Sequence, residues 1–114
     1  MYKTIRMVKR RKDLTLAQFK DYWLTRHAGL HRKSLEMAPV QKVVASFSTG
    51  EVALGGAESQ FDAMSAVYFN SLEDLRAAQG GPLAKMMAED EKNFVDHAPI
   101  NIVAEEFIMS QKPG

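Results

Sequence analysis

Residues 61–69, FDAMSAVYF, read as a β-strand with no polar face. Successive strand side chains alternate, so Phe61, Ala63, Val67 and Phe69 fall on one side and Met64, Ala66 and Tyr68 on the other. Residues 100–109, INIVAEEFIM, repeat the pattern, with Ile100, Ile102 and Ile108 opposing Val103, Phe107 and Met109. Helices can cover one face of such a sheet. The other apolar face has to meet another chain or enclose a ligand, and two sheets laid together would do both. A homodimer whose sheets form a barrel is predicted.

Two more strands are legible. Residues 3–10 (KTIRMVKR) alternate around Ile5, Met7 and Val8, and residues 40–49 (VQKVVASFST) are rich in β-branched side chains. A helix is predicted from Leu16 to His27. Thr15 and Gln18 form a capping-box pattern, and Leu14 with Phe19 a hydrophobic staple. Gly29 marks its end. Residues 31–38 fit either a short helical turn or a loop, closed by Pro39. Residues 50–59 (GEVALGGAES) read as a flexible loop or a bulged hairpin connection.

Asn70-Ser71 opens a second helical region, with Asp74 supporting the cap. Gly80-Gly81-Pro82 interrupts it, and Pro82 suits the first turn of a renewed helix. Leu83, Met86, Met87 and Phe94 form its apolar stripe, with Glu89, Asp90, Glu91 and Lys92 outward. The tail, SQKPG, is expected to fray. The order β-α-β-β-α-β predicts an α+β, ferredoxin-like fold: one domain over residues 1–114, with a four-stranded antiparallel sheet and both helical regions on one face.

The charge is lopsided. Residues 1–33 carry ten Lys/Arg against Asp13 and Asp21, whereas the remainder carries five against twelve acidic residues. No nucleic-acid motif accompanies the run Lys9-Arg10-Arg11-Lys12, and the net charge is only +1. The run reads as a solvated strand end facing acidic surface on the molecule or on a partner. Neither nucleic acid nor membrane is a predicted partner. There is no cysteine, so thiolate chemistry and disulfides are excluded. No secretory signal pattern and no membrane-spanning apolar run is found, and a cytoplasmic protein is predicted.

The chemistry concentrates in TLAQFKDYWLTRHAGLH, residues 15–31. Phe19, Trp23 and His27 are spaced i, i+4, i+8 and share one helix face. His27 there would act as an acid, a base or a hydrogen-bond donor, or else cap the helix C-terminus. Phe19 and Trp23 suit a pocket wall or the core. His31 follows four residues on. The pair lacks the intervening Glu of a zinc helix, and no metal site is predicted.

Arg6 would hold a carboxylate or enolate oxygen, and Tyr68 would donate its hydroxyl, if their strands point them into a cavity. Otherwise they are a solvated charge and a core aromatic. Asp62 suits backbone bonding at a strand entry. Met86-Met87 reads as helix core, and His97 as an exposed loop residue. There is no phosphate loop and no nucleophile elbow.

Several of these segments, in order, resemble the EthD family of dimeric α+β barrel proteins over nearly the whole chain. They are the basic run after the first strand, Leu14-Thr15, Phe19, Tyr22-Trp23 and Arg26-His27-Ala28. Phe61-Asp62 with Val67-Tyr68-Phe69 and Ser71, and Glu105-Glu106, complete the set. Gly29 stands where the family has proline, and Ala66 where it often has an acidic residue. The resemblance implies a homodimer, a cavity between sheet and helices, and acid–base chemistry without metal or organic cofactor. Members are associated with degradation of small organic compounds.

The expectation is an isomerase, cyclase or dehydratase acting on a small, apolar, oxygenated molecule such as a lactone, an aromatic catabolite or a polyketide. His27 would be catalytic, with Arg6, Phe19, Trp23, His31 and Tyr68 binding substrate. A non-catalytic binding protein, favoured by Ala66, would hold ligand without turnover. A cofactor-independent monooxygenase would consume oxygen, and a dimer that merely organises partner proteins would lack an ordered cavity.

Overall fold

The computed structural model describes residues 1–52, 55–56 and 59–114. Four strands, β1 (Tyr2–Arg10), β2 (Lys42–Phe47), β3 (Ala63–Phe69) and β4 (Val95–Glu105), form one sheet in the order β2-β3-β1-β4. All three pairings are antiparallel. Between β1 and β2 run α1 (Leu16–Tyr22), a π-helical turn (Trp23–His27) and α2 (Ala28–Met37). Between β3 and β4 run α3 (Leu72–Gln79) and α4 (Pro82–Glu91). This is the ferredoxin-like α+β arrangement.

The start signals hold. Thr15 Oγ1 accepts from the Gln18 N–H at 3.1 Å, and Gln18 Oε1 accepts from the Thr15 N–H at 2.9 Å. Ser71 Oγ accepts from the Asp74 N–H at 3.1 Å, and Pro82 opens α4 after Gly81. The expected end at Gly29 does not occur. Gly29 takes helical backbone, and the first helical region runs on through the π turn to Met37. A helical glycine costs about 1 kcal/mol relative to alanine, which packing readily overrides. Ala38 is extended, at φ −129° and ψ 161°, as a residue before proline prefers.

The last strand begins earlier than expected, at Val95, so His97 is an exposed strand residue rather than a loop residue. Pro99 is tolerated because β4 is an edge strand. Between the pairs Met7–Ile100 and Lys9–His97 the register slips, leaving Ala98 and Pro99 opposite Val8. The loop expected over residues 50–59 includes positions 53, 54, 57 and 58, which lie outside the described residues. Among the described residues no helix is long and apolar enough to cross a membrane.

Pairing register sorts the faces. Thr4, Arg6, Val8, Val43, Ala45, Phe47, Ser65, Val67 and Phe69 share the helix-covered side. Two apolar clusters pack there: Val8, Phe19, Trp23, Ala63 and Phe94 at one end, and Val40, Phe69 and Leu75 at the other. The open side presents Ile5, Met7, Met64, Val44, Ile100 and Ile102.

The basic first strand finds acidic partners in other elements. Lys3 bonds Glu106, Arg6 pairs with Glu91, and Lys9 and Arg10 flank Asp62. Asp62, nearly sealed, also accepts the Arg10 backbone N–H at 2.9 Å, a strand-entry role. Phe19, 0% exposed, sits in the first cluster against Trp23, Phe47 and Phe94. Phe19→Ala should cost about 3–5 kcal/mol, measured by urea denaturation.

Candidate active site

A cavity of about 570 Å³ lies between the helices and the sheet, in the size range of small-molecule sites. Its floor includes Thr4, Ser65 and Val67, and its helix wall includes Leu83, Met87 and Ala88. It separates the two apolar clusters, with Trp23 belonging to one edge and Phe69 to the other. The sheet supplies a rigid base, and the π turn and α4 supply the functional groups.

In the π turn the Ala28 N–H reaches back to the carbonyl of Trp23, five residues earlier. Phe19, Trp23, His27 and His31 then stand in a column. Successive ring centroids are 5.6, 6.0 and 4.8 Å apart, with planes at 88°, 89° and 80°. Phe94 closes on this column from the end of α4, 4.9 Å from the His27 ring and 5.4 Å from Trp23. His27 is therefore 1% exposed yet lines the cavity.

Its Nδ1 lies 2.9 Å from Asp90 Oδ2. The other Asp90 oxygen accepts from the Tyr22 hydroxyl at 2.7 Å and from Asn93 Nδ2 at 3.2 Å. Burial pushes the Asp90 acid up, but the bonds from Tyr22, His27 and Asn93 together hold it below the ordinary carboxylate value. Burial, reinforced by the Asp90 bond, raises the Tyr22 phenol, so it stays a donor. An ionised carboxylate only accepts, so His27 Nδ1 carries the proton. When the ring is neutral, Nε2 then carries the lone pair. Nε2 makes no hydrogen bond among the described residues.

His31 lines the same cavity. Both its ring nitrogens are sealed from solvent and lack a hydrogen-bond partner among the described residues. Burial, with a smaller contribution from His27, drives its pKa down from 6.5 to about 4, so the ring is neutral near neutral pH. At another wall Arg6 pairs with Glu91 and donates from Nε to Asn101 Oδ1 at 2.9 Å. Among the described residues no group of three His, Cys, Asp or Glu side chains is placed to hold a metal.

Four of the sequence-derived candidates thus converge: Arg6, Trp23, His27 and His31 all line the cavity. Phe19 does not; it lies one ring deeper, wholly in the core. Tyr68 does not either, because it projects from the opposite sheet face. There its hydroxyl donates to Glu106 Oε1 at 2.9 Å, with the Lys42 ammonium 4.3 Å from the ring centre. Ala66 shares that opposite face, so the family's acidic position does not bear on the His27 cavity.

Asp90 and Glu91, expected outward, instead point inward. The signal was present in the stripe itself: Leu83, Met87, Asp90 and Phe94 recur at helical spacing, as do Ala84, Met87, Ala88 and Glu91.

The EthD domain pattern matches residues 11–98. No curated protein matches the chain. Among solved structures the chain is similar to an ethyl tert-butyl ether degradation (EthD) family protein of Bacillus halodurans C-125. Identity is 22% and the TM-score 0.73, over 94% of this chain and 99% of that one. A protein of Bacteroides fragilis NCTC 9343, described as dimeric with a ferredoxin-like fold and of unknown function, aligns at 11% identity and TM-score 0.65. That alignment covers 92% of this chain and 95% of the other. The hydroxynitrile lyase of Passiflora edulis aligns at 15% identity and TM-score 0.62, over 94% and 95%. At these identities the solved structures bear on the fold alone. The domain match spans most of the chain, from the basic run through the His27 column to the start of β4, and the chain belongs to the EthD domain family.

Proposed function

We propose that this protein is a cofactor-independent acid–base enzyme, of isomerase, cyclase or dehydratase type, acting on a small apolar oxygenated molecule. The observation that carries the reading is the Asp90–His27 pair in the cavity wall, with Nε2 left unengaged. Asp90 fixes the ring and its tautomer, and Tyr22 and Asn93 fix Asp90. Neutral His27 then takes a proton at Nε2, and the imidazolium that forms is balanced by Asp90. The same nitrogen returns the proton to another atom of the substrate, so no external acid is consumed.

A carbon acid beside a carbonyl suits this chemistry, because the developing enolate oxygen can be met by a donor such as Arg6. The catalytic activity in the name of the Passiflora edulis neighbour is compatible with this reading. The binding-protein alternative rested on Ala66, which lies outside this cavity.

The homodimer belongs to the same proposal. The open sheet face carries Ile102 at 50% exposed, with Val44 and Ile100 each at 38%. The Bacteroides fragilis neighbour is described as dimeric. Two such faces packed together would bury this surface. Ile102→Lys should shift the protein from dimer to monomer in light scattering coupled to size exclusion; an unchanged dimer would place the interface elsewhere.

The direct test is turnover, followed by mass spectrometry, on a panel of lactones, anthrones and aromatic catabolites. His27→Ala should lose about 10²–10⁴-fold in rate. Asp90→Asn, able to donate to Nδ1 and so reverse the tautomer, should lose a comparable factor. Equal turnover by folded His27→Ala would remove His27 from the chemistry.

His31 supplies a separate check. Because its folded pKa lies below its unfolded value, the unfolded chain takes up a proton between pH 6.5 and about 4 that the folded chain refuses. The stabilisation is complete above pH 6.5 and is lost as pH falls towards 4, on the order of 3 kcal/mol in full. His31→Leu should flatten the fall in unfolding free energy across that window, measured by urea denaturation at a series of pH values.

A further inference from the structure

The two formally charged side chains lining the His27 cavity, among the described residues, are Arg6 and Glu91, and they neutralise each other. Their arrangement is held from behind. Asn101 donates from Nδ2 to the Ala98 carbonyl at 3.0 Å, which turns its Oδ1 towards Arg6 Nε. Arg6 spends Nε on Asn101 and Nη1 on Glu91 Oε1. Nη2 of Arg6 and Oε2 of Glu91 have no protein partner among the described residues. One ion pair in the cavity lining thus retains a donor and an acceptor without protein partners among the described residues. The preceding turns of α4 line the same cavity with hydrocarbon from Leu83 and Met87.

We propose that the Arg6–Glu91 pair determines ligand specificity in this cavity, selecting neutral molecules that carry a hydroxyl beside a carbonyl and rejecting carboxylates. The inference rests on the reading of the cavity as a small-molecule site. A hydroxy-carbonyl group offers its carbonyl oxygen to Arg6 Nη2 and its O–H to Glu91 Oε2, and the ion pair survives intact. A carboxylate meets Glu91 as a like charge. At Arg6 Nη2 it lies beside Glu91 in a part-buried wall where water screens the repulsion poorly, and to take the whole guanidinium it must displace Glu91 and leave that carboxylate without its cation. His31, neutral near neutral pH, offers no compensating charge. The carboxylate-holding role that the sequence suggests for Arg6 is thereby cancelled by a residue from the end of α4.

The chain has one tryptophan, and Trp23 lines the cavity, so its fluorescence reports occupancy without any need for turnover. Titrating the full-length protein with mandelamide, mandelate and 2-phenylacetamide tests the proposal. The first two differ in charge at constant shape, and the third lacks the hydroxyl. Mandelamide should bind at least about tenfold more tightly than mandelate, and 2-phenylacetamide more weakly than mandelamide.

Glu91→Gln, which uncovers the Arg6 charge, should invert the preference towards mandelate. Arg6→Gln should weaken mandelamide binding without creating mandelate binding. Mandelate binding wild type as well as or better than mandelamide would overturn the proposal. So would an unchanged preference in folded Glu91→Gln, or no binding of mandelamide at all. The wild-type comparison stands even if a variant fails to fold. Selective binding of mandelamide with no turnover across the substrate panel would leave this selection in place and remove the acid–base reading. Turnover that depends on His27 but is confined to carboxylate substrates would do the opposite.

Discussion

The candidate site depends on how the end of α4 docks against the first helical region. Phe94, 0% exposed, meets Phe19, Tyr22, Trp23 and His27 at centroid distances of 4.9 to 5.8 Å. Aromatic contact of this kind is among the larger packing contributions available to a small core. It also sets the phase of α4. With Phe94 seated, Asp90 stands one turn earlier against Tyr22 and His27, and Glu91 meets Arg6 at the cavity wall. One apolar contact thus positions both carboxylates, and the polar geometry is a by-product of the packing.

The His27–Asp90–Tyr22 set gives a nearly sealed imidazole a fixed hydrogen-bond partner. A buried imidazole without a partner resists taking a charge, as His31 does. His27 sits next to it under the same aromatic roof but has a carboxylate behind it. The two histidine rings, 4.8 Å apart, therefore have different surroundings: one has a carboxylate at Nδ1, while the other has no hydrogen-bond partner among the described residues. The divergence comes from α4 reaching one ring and not the other.

Much of this was legible in the residues. The capping box at Thr15, the broken helix at Gly80-Gly81-Pro82 and the two-faced strands follow from local chemistry and period, and the element order gives the ferredoxin-like fold. The column through His27 follows from the spacing of Phe19, Trp23 and His27. What failed did so for physical reasons. Charged residues on a helix usually face water, so Asp90 and Glu91 were assigned outward although they fall on the apolar period; their partners come from distant segments that period cannot reveal. Strand parity separates Tyr68 from Val67, but it does not say which face the helices cover when both are apolar. Gly29 reads as a stop signal, yet backbone freedom permits a stop without requiring one, and tertiary contacts carried the helix onward.

The π turn has a consequence for how sequences of this kind can change. A π turn holds one residue more than the α-helix around it. Removing one residue between Trp23 and His27 would let the turn close into ordinary α-helix with the segments on either side near their present phase, whereas removing one from residues 28–30 would swing every side chain beyond by about 100°. His31 and Ser34 would stay on the cavity wall in the first case and leave it in the second, with Phe19 in the core in both. The π turn is thus the place in the first helical region where the chain can shorten by one residue with least disturbance to either side, and exposed residues such as Leu24 and Thr25 are the ones it can spare.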